Sequence, residues 1–264
     1  MKPYKLPVLN IILNTFIFIW WKRRALSKAV ALPALSLILL NSAVHIRGAA
    51  LSQPAFWLVY LSNLFLFCLL AIACHRFVLL AIPSAPSERF RWTRRESRFI
   101  IFFIVFTALY VFVSIFMTTL LGTVAGNIIS PGPSEGPAAA EPERWFIWVN
   151  YFSVIIGYYF LSRMSLIFPA TAIDHKVGLR WALSSSSYNG WRLFIIVGVM
   201  PKALSFVLGK FFRHNASAPE VVIISLLAVI VIIVGVVALS LCFKELSEKG
   251  GVVLPAEGEE VHNL

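Results

Sequence analysis

Acidic residues are the scarcest charges in this chain. It has 12 Asp and Glu against 23 Lys and Arg in 264 residues, a formal net charge of +11. None of the twelve acids falls inside a long apolar run, so no carboxylate pair is available for acid–base chemistry within a bilayer. Cysteine is nearly absent. Cys68, Cys74 and Cys242 form no CxxC and read as small apolar residues. The histidines, His45, His75, His175, His214 and His262, include no pair at metal-ligand spacing. Asp174-His175 reads as a pair of surface groups at a helix end. P-loop, GxSxG and HExxH patterns are all missing. These absences lead us to expect a non-enzymatic protein with no cofactor and no metal.

What the chain has in abundance is apolar sequence, at 59% of residues with a mean hydropathy of +0.83. A soluble core does not need that much. Crossing about 30 Å of hydrocarbon takes about 20 helical residues at about 1.5 Å each. Six segments qualify: Ala25–Ile46, Ala55–Ala73, Phe99–Leu121, Trp145–Phe168, Trp191–Gly209 and Val221–Phe243. In lipid each must satisfy its own backbone, so each is expected to be a helix. The predicted fold is an all-α polytopic bundle of six spans over residues 1–246, with a disordered tail over 247–264.

The cations orient the bundle. Lys2, Lys5, Lys22, Arg23, Arg24 and Lys28 precede or open the first span. Arg76, Arg89, Arg91, Arg94, Arg95 and Arg98 fill the second connection. Lys176, Arg180, Arg192, Lys244 and Lys249 bring that side to 17, whereas Arg47, Arg144, Lys210 and Arg213 make 4 on the other. The positive-inside rule then places both termini in the cytoplasm. The expected location is a bacterial inner membrane.

Leu6–Trp21 is short for a span and has basic residues at both ends. It is expected to lie in the cytoplasmic interface as a separate helix, with a seventh span as the alternative. Ser130–Glu143 is rich in Pro, Gly and Ala and is expected to form an external loop. Thr93-Arg-Arg-Glu96 has capping-box spacing and predicts that the third span starts near Thr93. Asn215-Ala-Ser217 matches a glycosylation sequon, in a very short loop where chance explains it.

Two cations lie inside spans. Arg163 is about five residues from the cytoplasmic end of its helix. It can snorkel to the headgroups or hold a lipid phosphate. Lys202 follows Pro201 near the middle of the fifth span. Pro201 leaves the Val197 carbonyl without its helical donor. The Lys202 amine is expected to turn inward, toward that turn or toward a bound anion. Arg94, Arg95 and Arg192 join these two as candidate lipid or anion contacts. The expected partners are anionic headgroups on the cytoplasmic side and a membrane protein, with no nucleic acid.

Residues Arg163-Met-Ser-Leu-Ile-Phe-Pro-Ala-Thr-Ala-Ile-Asp174, followed by Trp181-Ala-Leu-Ser184 and Trp191-Arg-Leu-Phe194, carry a resemblance. They resemble uncharacterised six-helix bacterial inner-membrane proteins related to the membrane domain of glycerophosphodiester phosphodiesterases. Ser186-Ser187 stand where that pattern usually has Gly-Asn. The catalytic domain is not part of the resemblance, which implies a topology and no activity. Independently of it, Pro169 should end or kink the fourth helix. Ile173, Val177 and Trp181 predict one short amphipathic helix on the cytoplasmic face over Ala170–Leu183. Two functions follow: an accessory or envelope-homeostasis factor that binds lipid or a membrane partner, and a transporter or channel for an anionic or amphiphilic solute.

Overall fold

The structure is a computed structural model that describes residues 4–47, 52–80, 92–129, 155–210 and 217–249. Every regular element among the described residues is helical. In chain order these are α1 (Val8–Arg47), α2 (Gln53–Leu80), α3 (Arg94–Ile129), α4 (155–164), α5 (Ile167–Ala172), α6 (Leu179–Ser185) and α7 (Gly190–Leu193). A π-helical segment (Phe194–Val199), α8 (Met200–Gly209) and α9 (Ala218–Lys249) complete the order. Five helices among the described residues are long and apolar enough to cross a membrane: α1, α2, α3, the run Gly190–Gly209 and α9. Of the expected fourth span, only residues 155–164 and the turn after them are described. The Ser130–Glu143 loop, Arg89, Arg91 and residues 250–264 lie outside the described residues.

α9 is the most enclosed of the five. It packs along α1 and α2. Two buried clusters hold the bundle. One joins Leu26, Val30 and Leu37 of α1 to Cys68 and Ile72 of α2, Phe99 of α3 and Val229 of α9. The other joins Leu6 and Ile11 to Ile167, Leu193, Ile196 and Leu239. Outward faces carry apolar side chains instead, such as Leu35 and Leu39 on α1 and Phe112 and Ile115 on α3. That inversion suits a helix bundle whose solvent is lipid. The three cysteines are free and buried.

The structure corrects several expectations. Leu6–Trp21 is not separated from the first span. From Val8 onward it is continuous with that span in the 40-residue α1, which at about 1.5 Å per residue follows a path of about 60 Å. No Gly or Pro stands between Trp21 and Ala25, and the Lys22–Arg24 side chains are exposed. Lys and Arg are good helix formers when solvated, so the ladder runs through them. The first half of α1 and its lead-in pack into the bundle, with Leu6 and Ile11 buried in the same cluster as Ile196 and Leu239. Tyr4 donates to Glu245, and Phe18 packs edge-on against Phe77.

The single amphipathic helix expected over Ala170–Leu183 is two short helices, α5 and α6. They are separated by Asp174, which adopts φ +67°. Asp is among the few residues that enter this left-handed region at modest cost, and a left-handed residue stops a helix. The break before α5 comes at Ser165-Leu166, not at Pro169. Pro169 sits in the first turn of α5, where a missing N–H costs nothing. α9 runs to Lys249.

Candidate functional site

One end of the bundle collects the polar chemistry. This basic end is where α2 and α9 finish and α3 and α7 begin. The capping box opens α3 as its spacing predicts. The Thr93 amide donates to Glu96 Oε2 at 2.8 Å, and the Thr93 hydroxyl bonds the same oxygen. Glu96 is buried in this first turn, ahead of the apolar run that begins at Phe99. Arg95 donates through Nε and Nη2 to Glu96 Oε1 at 2.9 and 2.6 Å. Its Nη1 reaches Asp174 Oδ2 at 2.9 Å, with Arg76 3.6 Å from the same oxygen. Burial pushes the Glu96 carboxyl up, but the bonds from Thr93 and Arg95 outweigh it and hold it below the usual carboxylate range. Burial likewise pulls the Arg95 guanidinium down, and the Glu96 and Asp174 carboxylates more than reverse this. Asp174 is therefore a tie between the α5–α6 turn and the start of α3. Arg94, one residue before Arg95, is exposed.

The second arrangement pins the lead-in to α1. Asn189 is 3% exposed. Its Oδ1 accepts from the Leu6 amide at 2.8 Å, and its Nδ2 donates to the Tyr4 carbonyl at 3.0 Å. Arg192 donates to the Leu6 carbonyl. Leu6 itself is fully buried. A buried amide that satisfies both a donor and an acceptor of an extended backbone leaves nothing unpaired. The sequence reading did not single out Asn189. Its one signal is its place beside Gly190, where a Cβ would stand 2.8 Å from Tyr159 Oη and 3.1 Å from Arg163 Cδ.

Arg163 donates through Nη2 to the Leu183 carbonyl at 3.0 Å and through Nε to the Ser186 hydroxyl at 3.3 Å. The Leu183 carbonyl belongs to the last turn of α6, where helix carbonyls lack intrahelical partners. The guanidinium therefore closes a helix end instead of reaching for headgroups. Arg163, Arg192 and Arg95 are all engaged by this chain's own oxygens.

Lys202 differs. The sequence reading turns its amine toward carbonyls freed by Pro201. The structure places the π-helical segment Phe194–Val199 directly before α8, with Pro201 at the start of that helix. Such local π turns re-register the ladder around a proline in a membrane helix. The Lys202 amine lies instead over the Tyr158 ring, 5.5 Å from its centroid. Tyr158 packs against Tyr110 of α3 at 5.4 Å. Lys202 is exposed, and a lysine facing lipid near the bilayer centre costs about 2.5–3.5 kcal/mol on insertion scales. The sequence reading passed over both phenols, whose only signal is that two polar-tipped rings lie inside spans.

Deeper between α2 and α9, His75 is 1% exposed. Its Nδ1 lies 2.7 Å from the Ser240 hydroxyl, which itself donates to the Val236 carbonyl at 2.8 Å. With the hydroxyl proton used there, Nδ1–H is the donor, which fixes the tautomer.

The exposed surface of the basic end mixes cations with aromatics. Lys22, Arg23, Arg24, Arg94 and Arg180 are exposed. Trp20 and Trp21 are exposed at 67% and 80%, and Trp92 at 50%. The Arg23 guanidinium sits 4.6 Å from the Trp20 ring centroid. No group of three or more His, Cys, Asp or Glu side chains capable of holding a metal occurs among the described residues. No protein family, curated protein or solved structure matches this chain.

Proposed function

We propose that this protein is a non-enzymatic, multi-pass membrane protein whose basic end binds anionic lipid headgroups. It serves as an accessory or envelope-homeostasis factor beside a membrane partner. In this reading the basic end faces the cytoplasm of a bacterial cell, as the distribution of Lys and Arg implies. One observation carries it: the exposed Lys22–Arg24 cluster beside Trp20 and Trp21, halfway along α1. Indole rings belong at headgroup depth. Each nearby cation adds about 1 kcal/mol of attraction to an anionic leaflet. The buried arginines do not compete for this role, since Arg163, Arg192 and Arg95 already hold internal oxygens.

Native mass spectrometry of the gently extracted protein tests this. Anionic phospholipid should stay bound in preference to zwitterionic phospholipid. The triple variant Lys22→Gln, Arg23→Gln, Arg24→Gln should lose that preference at unchanged thermal stability. Equal retention of the two lipid classes by the wild-type protein would reject the reading.

The second reading, transport of an anionic or amphiphilic solute around Lys202 and Arg163, draws on the intramembrane position of Lys202. The engagement of Arg163 by Leu183 and Ser186 counts against it. Anion flux into proteoliposomes that disappears in Lys202→Met would favour it.

A further inference from the structure

Lys202 is a charged group that the bundle leaves exposed within a span. Its helix, α8, has no buried residue. α8 touches α9 where Pro201 Cγ would come within 3.3 Å of a Cβ added at Gly235. Along the open face, Ile195, Val199, Lys202 and Phe206 are all exposed. Val199, Lys202 and Phe206, three and four residues apart, share one face of the helix.

The depth of the amine follows from its contacts. A Cβ at Gly198 would lie 4.0 Å from Tyr158 Cβ, so Tyr158 stands level with Gly198, one turn before Lys202. Lys202 leans back toward this level, as helical side chains do. The amine is then about 12 Å along the helix from Gly190 and about 16 Å from Gly209, at about 1.5 Å per residue. It points away from the Gly209 end, the surface nearer to its own Cα, and still lies about 12 Å short of the Gly190 level, so it does not snorkel. Among the described residues it makes no hydrogen bond and no ion pair; its amine lies over the face of Tyr158 and within electrostatic reach of the Tyr110 phenol.

A cation at that depth calls for an anion at that depth. The chain has none to offer, since all twelve acids lie outside the apolar runs. A second copy has none either. A lipid phosphate stays at the headgroups, more than ten ångströms away by the same rise per residue.

We propose that the Ile195–Phe206 face docks a transmembrane helix of a different polypeptide, one that carries an Asp or Glu near its midpoint, and that this carboxylate pairs with Lys202. The pair is charge-assisted and sits where lipid offers no competing donor. This names the partner chemistry that the accessory reading calls for, and to that extent it rests on that reading. It does not depend on the Lys22–Arg24 cluster.

A photoreactive phenylalanine analogue placed at Val199 or Phe206 of the full chain, in native membranes, tests the docking. A discrete adduct is expected at both positions. Its cross-linked peptide should be an apolar segment containing Asp or Glu. Lys202→Met should cut the yield at least tenfold at normal protein abundance. Lys202→Glu should do the same, and should recover when the partner's carboxylate is changed to Lys. Adducts to lipid alone, to a second copy of this chain, or to a segment without an intramembrane acid would overturn the proposal. So would a yield that Lys202→Met leaves intact. The lipid retention of the Lys22–Arg24 triple variant is measured separately, so failure of the docking and failure of the headgroup reading are distinguishable.

Discussion

Asn189 shows how one side chain can hold a chain segment that has no regular structure of its own. Its amide replaces, for Tyr4 and Leu6, the partners that a neighbouring strand would supply. Asn189→Ala leaves the buried Leu6 N–H unpaired, at about 1–3 kcal/mol, and frees the part-buried Tyr4 C=O at a smaller cost. The expected outcome is a clear drop in thermal stability in mild detergent, with the lead-in to α1 becoming open to proteolysis at Lys5. Glu96 makes a pH-dependent contribution. Its folded carboxyl is held below its ordinary value of 4.5. Its stabilising effect is therefore complete above that value and is lost as the pH falls through the lower, folded value. A cap of this kind is worth about 1 kcal/mol. Glu96→Gln should be less stable than the wild type at pH 7, and the gap should close as unfolding is measured at progressively more acidic pH.

The helices begin where side chains cap them and continue where nothing stops them. Thr93 and Glu96 open α3. Ser217 and Glu220 open α9 in the same way, through the Ser217 amide at 2.6 Å and its hydroxyl at 2.9 Å. The hydroxyl residue of the apparent sequon is thus a helix cap. Ser217→Ala should lower the melting temperature modestly, by the equivalent of about 1 kcal/mol, and Ser217→Thr, which keeps the hydroxyl donor, should restore it. α1 shows the converse. Its continuity through Lys22–Arg24 depends on the absence of a breaker. Arg23→Pro removes a ladder bond inside a helix at about 3 kcal/mol or more. It should release the segment before it, seen as faster hydrogen exchange over residues 8–21 with little change in α2.

At the scale of the whole molecule, α9 is the post on which α1 and α2 are mounted. Ser42 bonds Ser225 at 3.2 Å, and His75 bonds Ser240 at 2.7 Å on the α2 side. Such interhelical bonds in lipid average about 0.6 kcal/mol with a ceiling of about 1.7. A double-mutant cycle between His75→Ala and Ser240→Ala should return a coupling in that range. The orientation of the molecule is open to direct test. The native cysteines are buried, so a single cysteine placed at Ser134 should be labelled by an impermeant reagent from outside intact cells, and one at Ser87 should not. The reverse pattern would invert the assigned orientation.

Composition and short-range pattern were enough to read the membrane class, the helical fold and the start of α3. Apolar run length and the Thr93–Glu96 spacing are local properties, and lipid leaves a spanning backbone no other way to satisfy itself. The sequence also marked Arg163, Arg192, Arg95 and Lys202 as notable, because cations in or beside apolar runs are conspicuous. It did not say what they hold. That Arg163 closes α6, that Asn189 clamps residues 4–6 and that Asp174 ties the α5–α6 turn to Arg95 are contacts between residues 20 to 185 apart along the chain. No local period encodes them. The continuity of α1 was hidden for a related reason. A basic cluster reads as the end of a span, yet a helix ends only where its backbone loses its partners, and solvated Lys and Arg keep theirs. The exposure of Lys202 was likewise decided by tertiary structure, because a helix with a polar residue at mid-depth does not record which of its faces the neighbouring helices cover.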